Sequence, residues 1–328
     1  MNFADFQHFR ESLLRERSDV RDCAATNLYA ALARLIPPPA AQPEQKVHRC
    51  HLATEWAEAF GFPPDASRRA LVSCGVRDSL AILFRHYASE NARLWLPSDN
   101  YPVYADIAHA ADLATREFAT LPEPAWPSAA PHTTTELLLV TNPLKPLGRW
   151  LTDDDVAALI AWLAAHPGRR LLLDAVYTFE RRFHTTTLQL VATQQTILLH
   201  SLTKGWLHPR LFGVALVPEQ DTAILAPLFR EQTPPQSNLA RARELMASHA
   251  GMPEKISREL ADSKARMRSA IPPHIVPITH TDAPGYFVPV AGKWREILDS
   301  TNVLGIPASV FGSQCEDITI LSSLGFLA

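Results

Sequence analysis

Short apolar runs alternate with helical patterns through the middle of the chain, and this feature constrains the fold more than any other. Each run is nearly continuous, as expected for a strand that is covered on both faces. Helical spacing lies between several of them, as in Thr152–Ala165, where three aspartates suit a helix N-terminus. The alternation predicts an α/β fold, with a mostly parallel sheet and helices on both faces. The predicted strands are Leu71–Ser73, Arg93–Leu96, Glu136–Thr141, Arg170–Asp174, Thr196–His200 and Gly213–Val217.

Two proline-rich breaks, Pro37–Pro43 and Gln232–Gln236, suggest how this sheet is bounded. The 328 residues correspond to about two domains of roughly 150 residues each. We therefore predict a large domain over residues 45–235. Residues 1–44 and 236–328 would together form a smaller, discontinuous α+β domain.

The C-terminal part of this smaller domain has its own pattern. Leu239–Ser269 has helical spacing and predicts one long helix. Strands are predicted near Gly285–Val290 and Asp317–Leu321.

Charge and composition exclude several classes of protein. Lys and Arg total 31 and Asp and Glu total 34, which gives a net charge of −3 and no basic surface for nucleic acid. No apolar run reaches the 18 or so residues that would span a bilayer, and the N-terminus does not resemble a secretory signal. Four scattered cysteines are typical of reduced thiols. We expect a cytoplasmic enzyme or a large binding protein.

Polar motifs follow the predicted strands at their carboxyl ends, where ligands bind in open α/β sheets. Asn142-Pro-Leu-Lys-Pro-Leu-Gly follows the third strand, and Asp174-Ala-Val-Tyr ends the fourth. Ser201-Leu-Thr-Lys ends the fifth, and Ser73-Cys-Gly-Val-Arg-Asp ends the first. The ordered motifs Asn-Pro-x-x-Pro-x-Gly, Asp-x-x-Tyr and Ser-x-x-Lys resemble those of fold-type I enzymes that use pyridoxal 5′-phosphate (PLP), specifically the class I/II aminotransferases. The resemblance covers about residues 45–328.

The resemblance implies a role for each of these residues. Lys204 would hold the cofactor as a Schiff base, and the carboxylate of Asp174 would keep the pyridine nitrogen protonated. Asn142 and Tyr177 would donate hydrogen bonds to the phenolic oxygen of the cofactor. Tyr101 would stack on its ring.

The phosphate group would bind at a helix N-terminus with hydroxyl and cationic partners. By the resemblance, Gly75, Val76 and Arg77 form that loop, and Ser201 and Arg210 complete it. Metal ligands are not predicted, because the histidines and cysteine of residues 48–51 have no second cluster at zinc spacing.

Three positions depart from the family pattern. Thr319 falls where the family carries an arginine for the substrate carboxylate, and threonine offers neither charge nor a two-donor fork. Residues 48–52 contain no tyrosine, although this segment normally offers one to the partner subunit's phosphate. Arg210 also lies closer to Lys204 than its counterpart does in the family.

The sequence therefore predicts an aminotransferase with a small-molecule amino donor and a keto acceptor, and by resemblance a homodimer. The leading alternative is a decarboxylase, lyase or oxidase of the same fold. A regulatory protein that has lost catalysis is disfavoured, since Lys204, Asp174, Asn142 and Tyr177 are all retained. Ser201-Leu-Thr-Lys also fits the Ser-x-x-Lys of penicillin-binding enzymes, but the order of motifs does not, and no Lys-Thr-Gly follows.

Overall fold

The computed structural model describes residues 2–38, 46–100, 102–130, 135–280 and 283–327. The strands are β1 (Arg21–Asp22), β2 (Ala70–Ser73), β3 (Arg93–Pro97), β4 (Ala114–Phe118), β5 (Glu136–Thr141), β6 (Arg169–Asp174), β7 (Thr196–Ser201), β8 (Gly213–Leu216), β9 (Phe287–Ala291), β10 (Val303–Leu304), β11 (Ile306–Pro307) and β12 (Ile318–Ser322). The helices are α1 (Phe3–Glu16), α2 (Leu28–Ala31), α3 (Arg49–Ala59), α4 (Val76–Ser89), α5 (Val103–Ala110), α6 (Asp153–Ala164), α7 (Thr185–Val191), α8 (Leu202–Gly205), α9 (Glu219–Glu231), α10 (Gln236–Ser248), α11 (Met252–Ala270) and α12 (Trp294–Thr301).

A seven-stranded sheet in the order β2-β8-β7-β6-β5-β3-β4 forms the centre of the molecule. The pairs from β7 across to β4 are all parallel, whereas β8 runs antiparallel to both β7 and β2. Five of its strands are buried along their whole length or nearly so, which explains why continuous apolar runs revealed them. The predicted mostly parallel α/β fold is confirmed.

Several elements differ from the sequence-based predictions, among them the two-residue strands β1, β10 and β11, which were not predicted. The edge strand β4 was not predicted, because four of its five residues are exposed and no apolar run marks it. The segment predicted as one long helix forms two helices, α10 and α11. They are separated at His249–Gly251, since Gly251 and Pro253 favour a new helix start.

Two small sheets lie outside the central sheet. One is antiparallel, in the order β11-β12-β9, and the other pairs β1 with β10 in parallel. The N-terminal segment also contacts β12, where the Ser322 N–H donates to the Cys23 carbonyl at 2.7 Å. The proposed boundary near residues 44–45, and most of the Pro37–Pro43 break, lie outside the described residues, and the division into two domains remains a proposal.

A buried ion pair ties β5 to β6 at the start of both strands. Two nitrogens of the Arg169 guanidinium donate to one oxygen of Glu136 at 3.1 and 3.0 Å, and the two residues are 0% and 2% exposed. Arg169 also donates to the carbonyl of Trp162 at 2.8 Å and lies over its ring. The pair therefore holds α6 against the parallel strands. No helix in the described part of the chain is long and apolar enough to cross a membrane.

Replacing Glu136 with glutamine should destabilise the fold by about 3 kcal/mol, because it leaves the Arg169 charge buried without its partner. Urea unfolding of the two proteins measures the difference. Glu259→Gln is the matched control, since the ion pair of Glu259 with Arg34 is partly exposed to solvent and should change stability by only about 0.5 kcal/mol. Equal losses in both variants would contradict a special role for the buried pair.

Candidate active site

The carboxyl ends of β5, β6 and β7 meet at one edge of the central sheet. In the register of the sheet, Asp174 lies beside Thr141 on one side and Leu199 on the other. On β8, Gly213 pairs with Ser201 of β7 and with Ser73 of β2. The loops that carry the sequence motifs therefore start from adjacent positions.

The Asp174 carboxylate is buried at the end of β6 and is held at both oxygens. The Tyr104 hydroxyl donates to Oδ2 at 2.6 Å, and the Val176 N–H donates to Oδ1 at 2.9 Å. Burial raises the pKa of Tyr104 well above its usual value, and the Asp174 charge raises it further. Tyr104 therefore remains a hydrogen-bond donor to Asp174 at neutral pH.

The Lys204 amine lies in the turn of α8 that directly follows β7. Burial lowers its pKa to about 8, while the nearby Asp174 charge opposes that shift and the Arg77 charge adds to it. A primary amine with this pKa is partly neutral at physiological pH, and the neutral form is the nucleophile and the base.

The Tyr177 ring lies close to two lysines. The Nζ of Lys145 lies 2.9 Å from the ring centroid, and the Nζ of Lys204 lies 5.1 Å from it. The hydroxyl of Tyr177 lies 3.0 Å from that of Tyr286, which donates in turn to the Thr26 carbonyl at 3.0 Å. Tyr177 thus connects the edge of the central sheet to the N-terminal segment and to the residue before β9.

The N-terminus of α4 is open at the same edge. Gly75 is its N-cap, with a φ of 154°, and no side chain caps the helix. The loop is packed against Gly213 so closely that a Cβ there would lie 2.6 Å from the Gly75 Cα. The hydroxyl of Ser73 lies 2.8 Å from that of Ser79 and accepts from the Gly75 N–H. The first N–H groups of α4 therefore have no side-chain cap, an arrangement that suits an anion, and the phosphate site at Gly75, Val76 and Arg77 stays a prediction.

The three remaining phosphate candidates lie in different surroundings. Arg77 is exposed, but its positive charge acts to lower the pKa values of both Tyr104 and Lys204. Ser201 is buried as the N-cap of α8, where its Oγ accepts from the Thr203 N–H. Arg210 is exposed in the turn before β8, with a φ of 58°. Of the two arginines, Arg77 is the one whose charge reaches Tyr104 and Lys204.

The Asn142 side chain is used within the protein. Its Nδ2 donates to the hydroxyls of Thr186 and Thr187 at 3.0 and 2.8 Å, and its Oδ1 accepts from the Leu151 N–H at 3.1 Å. These bonds anchor the loop after β5 to α7. Contact of Asn142 with the cofactor stays a prediction. Tyr101, predicted to stack on the cofactor ring, lies outside the described residues.

Thr319 lies within the small antiparallel sheet. Its hydroxyl donates to the Gly292 carbonyl at 2.7 Å, and it pairs with Val290 and Pro307. The whole of β12 reads Ile-Thr-Ile-Leu-Ser and carries no cationic side chain. A substrate carboxylate would therefore need a cation from another element.

Sequence reasoning missed the parts played by Tyr104, Lys145 and Gly213. Tyr104 is an ordinary helical residue in the sequence, and its bond to Asp174 spans 70 positions. Lys145 occupies a variable position of the Asn-Pro-x-x-Pro-x-Gly motif, so the motif itself gave no reason to single it out. Gly213 begins a predicted strand, and only the scarcity of glycine, with 12 in the chain, could have drawn attention to it.

The chain belongs to the class I and II aminotransferase family, whose profile matches residues 45–303. An aminotransferase from Mycobacterium tuberculosis has the same fold, with a TM-score of 0.70 at 16% identity over 98% of this chain and 91% of that one. A Thermus thermophilus aspartate aminotransferase double mutant gives 0.67 at 19% identity, over 99% and 92%. An S-alkyl-thiohydroximate lyase from Arabidopsis thaliana is 26% identical over 147 residues, which cover 42% of this chain but only 32% of the lyase.

The protein is therefore a PLP-dependent enzyme, and its residues fit that cofactor. The donor set has a buried carboxylate in Asp174, an amine of lowered pKa in Lys204 and an open helix N-terminus at Gly75. The space between Gly75 and Gly213 admits no side chain. These groups match a pyridine nitrogen, an aldehyde and a phosphate respectively.

Replacing Gly213 with alanine should weaken PLP binding at least tenfold, because the new methyl group collides with the Gly75 backbone and displaces the anion site. Titration of the apoenzyme by absorbance measures the dissociation constant. Gly251→Ala is the matched control, since a Cβ at Gly251 meets nothing within 4 Å. If both variants bound PLP as the wild type does, the close packing of the loop would be irrelevant to the cofactor.

The rate at which the Lys204 amine of the apoenzyme reacts should reach half its maximum near pH 8. Its two charged neighbours, Arg77 and Asp174, should shift that midpoint in opposite directions. Arg77→Gln removes a charge that lowers the pKa of Lys204, so its midpoint should rise. Asp174→Asn removes one that raises it, so its midpoint should fall. Reductive methylation at a series of pH values, followed by mass spectrometry, measures each midpoint. The exposed Lys255 is the internal control for the change of reagent reactivity with pH. Shifts of the same sign would contradict this arrangement.

Proposed function

We propose that this chain is a transaminase of an amino acid or a related small amine. The observation that carries the proposal is the position of Lys204, a half-buried lysine whose pKa is lowered to about 8, at the same sheet edge as Asp174. Support also comes from membership of the aminotransferase family. When bound, PLP supplies an aldehyde for a primary amine and a ring that withdraws electrons.

Each residue would have a distinct task. Lys204 would hold the cofactor through its Nζ until a substrate amine takes that place. The freed Nζ would then remove a proton from the substrate carbon and return it on the other side of the C–N bond. Asp174, fixed by Tyr104, would keep the facing nitrogen protonated throughout. The N-terminus of α4 with Arg77, together with Ser201 and Arg210, would bind the phosphate. Tyr177 would turn its hydroxyl hydrogen from Tyr286 to donate to the phenolic oxygen.

A second candidate function is a lyase, decarboxylase or oxidase reaction at the same site. Two observations favour it: β12 carries no arginine for a substrate carboxylate, and the chain is similar over 147 residues to an S-alkyl-thiohydroximate lyase. The products distinguish the two functions. A transaminase forms a keto product and a new amino acid in equal amounts, and only when a keto acceptor is present. The second candidate needs no keto acceptor: a lyase releases ammonia or a thiol, a decarboxylase releases carbon dioxide, and an oxidase releases ammonia and reduces dioxygen to hydrogen peroxide.

We also propose a homodimer, since dimers are common in this family. Sedimentation equilibrium of the holoenzyme tests it. A monomer at micromolar concentration would contradict it.

Lys204→Ala should abolish the covalent adduct that borohydride traps between enzyme and PLP, because the alanine has no amine. Peptide mapping of reduced wild-type enzyme should find the label on Lys204. Product formation from the common amino acids, with pyruvate or 2-oxoglutarate as acceptor, should fall at least a thousandfold in the variant. Lys255→Met is the control for loss of an exposed lysine. An adduct that persists unchanged without Lys204 would exclude it from the covalent role.

A further inference from the structure

A cavity of about 460 Å³ lies between the loop after β6, helix α11 and the turn before β9. Its size falls within the usual range of small-molecule sites. Of the residues predicted to bind PLP, none of those that the structure describes lines it. Two lining residues are nevertheless direct chain neighbours of the paired tyrosines, since Thr178 follows Tyr177 and Gly285 precedes Tyr286. The cavity is therefore a separate space beside the candidate active site.

Much of the lining of this cavity is apolar and ordered by packing. The apolar lining residues that are at most 2% exposed are Phe179, Phe183 and Leu260. The rings of Trp150 and His184, which also line the cavity, stack with their centroids 4.4 Å apart and their planes at 8°. Flat rings and buried apolar side chains of this kind suit a ligand that carries a planar apolar ring.

A buried amine and a buried hydroxyl interrupt the apolar lining. Lys264 is 8% exposed, and its Nζ donates to the Ala283 carbonyl at 2.8 Å, which holds the amine at the cavity. A lysine ammonium has three N–H groups, so it can donate to a ligand as well as to this carbonyl. The Thr178 hydroxyl is buried and has no hydrogen-bond partner in the part of the chain that the structure describes. Such orphaned groups are uncommon, and a ligand oxygen would satisfy this one.

The charge in the buried part of the cavity is positive. The charged side chains among the described lining residues are Lys264, Arg182 and Glu180. Arg182 and Glu180 are exposed, and solvent and salt screen their charges, whereas Lys264 is buried. An anionic group on the ligand would therefore be favoured near Lys264.

We propose that this cavity is a second small-molecule site, distinct from the cofactor site, and that its ligand is an aromatic carboxylate. The ring would pack against the stacked Trp150 and His184 and the buried apolar side chains. The carboxylate would accept from the Lys264 Nζ, with the Thr178 hydroxyl as a second donor. The site does not depend on which reaction the enzyme catalyses.

The experiment measures binding of 3-phenylpropionate to the holoenzyme by isothermal titration calorimetry. The amide 3-phenylpropionamide is the uncharged probe with the same ring, and acetate is the anion without a ring. The wild type should bind 3-phenylpropionate with a dissociation constant below about 1 mM, and about tenfold or more tightly than either of the other compounds.

Three variants alter the cavity, and a fourth is their control. Ala261→Phe puts a ring at an exposed lining position and should weaken binding about tenfold or more, whereas Ala265→Phe, one turn further along α11 and outside the lining, should not. Lys264→Met should weaken binding of the acid about tenfold and leave the amide unchanged. Thr178→Val should weaken binding of the acid about fivefold without lowering the unfolding temperature, because its hydroxyl has no partner to lose.

Loss of binding in Ala261→Phe but not in Ala265→Phe, together with the loss in Lys264→Met, supports the proposal. It is overturned if the wild type does not bind 3-phenylpropionate at about 1 mM, or if the amide binds as tightly as the acid. It is also overturned if Ala261→Phe and Thr178→Val both bind the acid as the wild type does, because the ligand then lies elsewhere. These two variants decide the question if circular dichroism shows that Lys264→Met is unfolded.

Discussion

The buried carboxylate of Asp174 is the constraint on which the rest of the site depends. A charge at this depth is costly unless it is paired and hydrogen-bonded. The protein meets that need with the Tyr104 hydroxyl and the Val176 N–H, and the register of the sheet places Asp174 itself beside the ends of β5 and β7. The negative charge of Asp174 also raises the pKa values of Lys145 and Lys204, whereas burial lowers them. Removing this carboxylate would leave the amines of Lys145 and Lys204 without the negative charge that opposes the effect of burial on their pKa values.

The central sheet could be predicted because its signals are local. A strand buried on both faces is a continuous apolar run, and the motif that follows it is contiguous in sequence. Strand β4 has no such run, since only Phe118 of its five residues is buried. The break between α10 and α11 has local marks, Gly251 and Pro253, yet the helical spacing on either side concealed it.

The site itself was only partly predictable, because its decisive contacts are tertiary. The motif after β5 contains two side chains that can donate hydrogen bonds, Asn142 and Lys145, and each precedes a proline. The sequence cannot say which one turns toward the sheet edge. In the fold Asn142 is bonded to Thr186 and Thr187, while Lys145 reaches the Tyr177 ring. The packing of Gly213 on Gly75, between residues 138 positions apart, leaves no trace in the sequence.

The parallel pairing of β1 with β10 has a consequence for synthesis of the protein on the ribosome. Arg21 pairs with Val303, and the Cys23 carbonyl accepts from the Ser322 N–H, so segments that lie far apart along the chain are joined. At about 5–20 residues per second, the early segment waits roughly 15–60 s for its partner. The central sheet can close during that interval, and β1 then pairs with β10 after the sheet has formed.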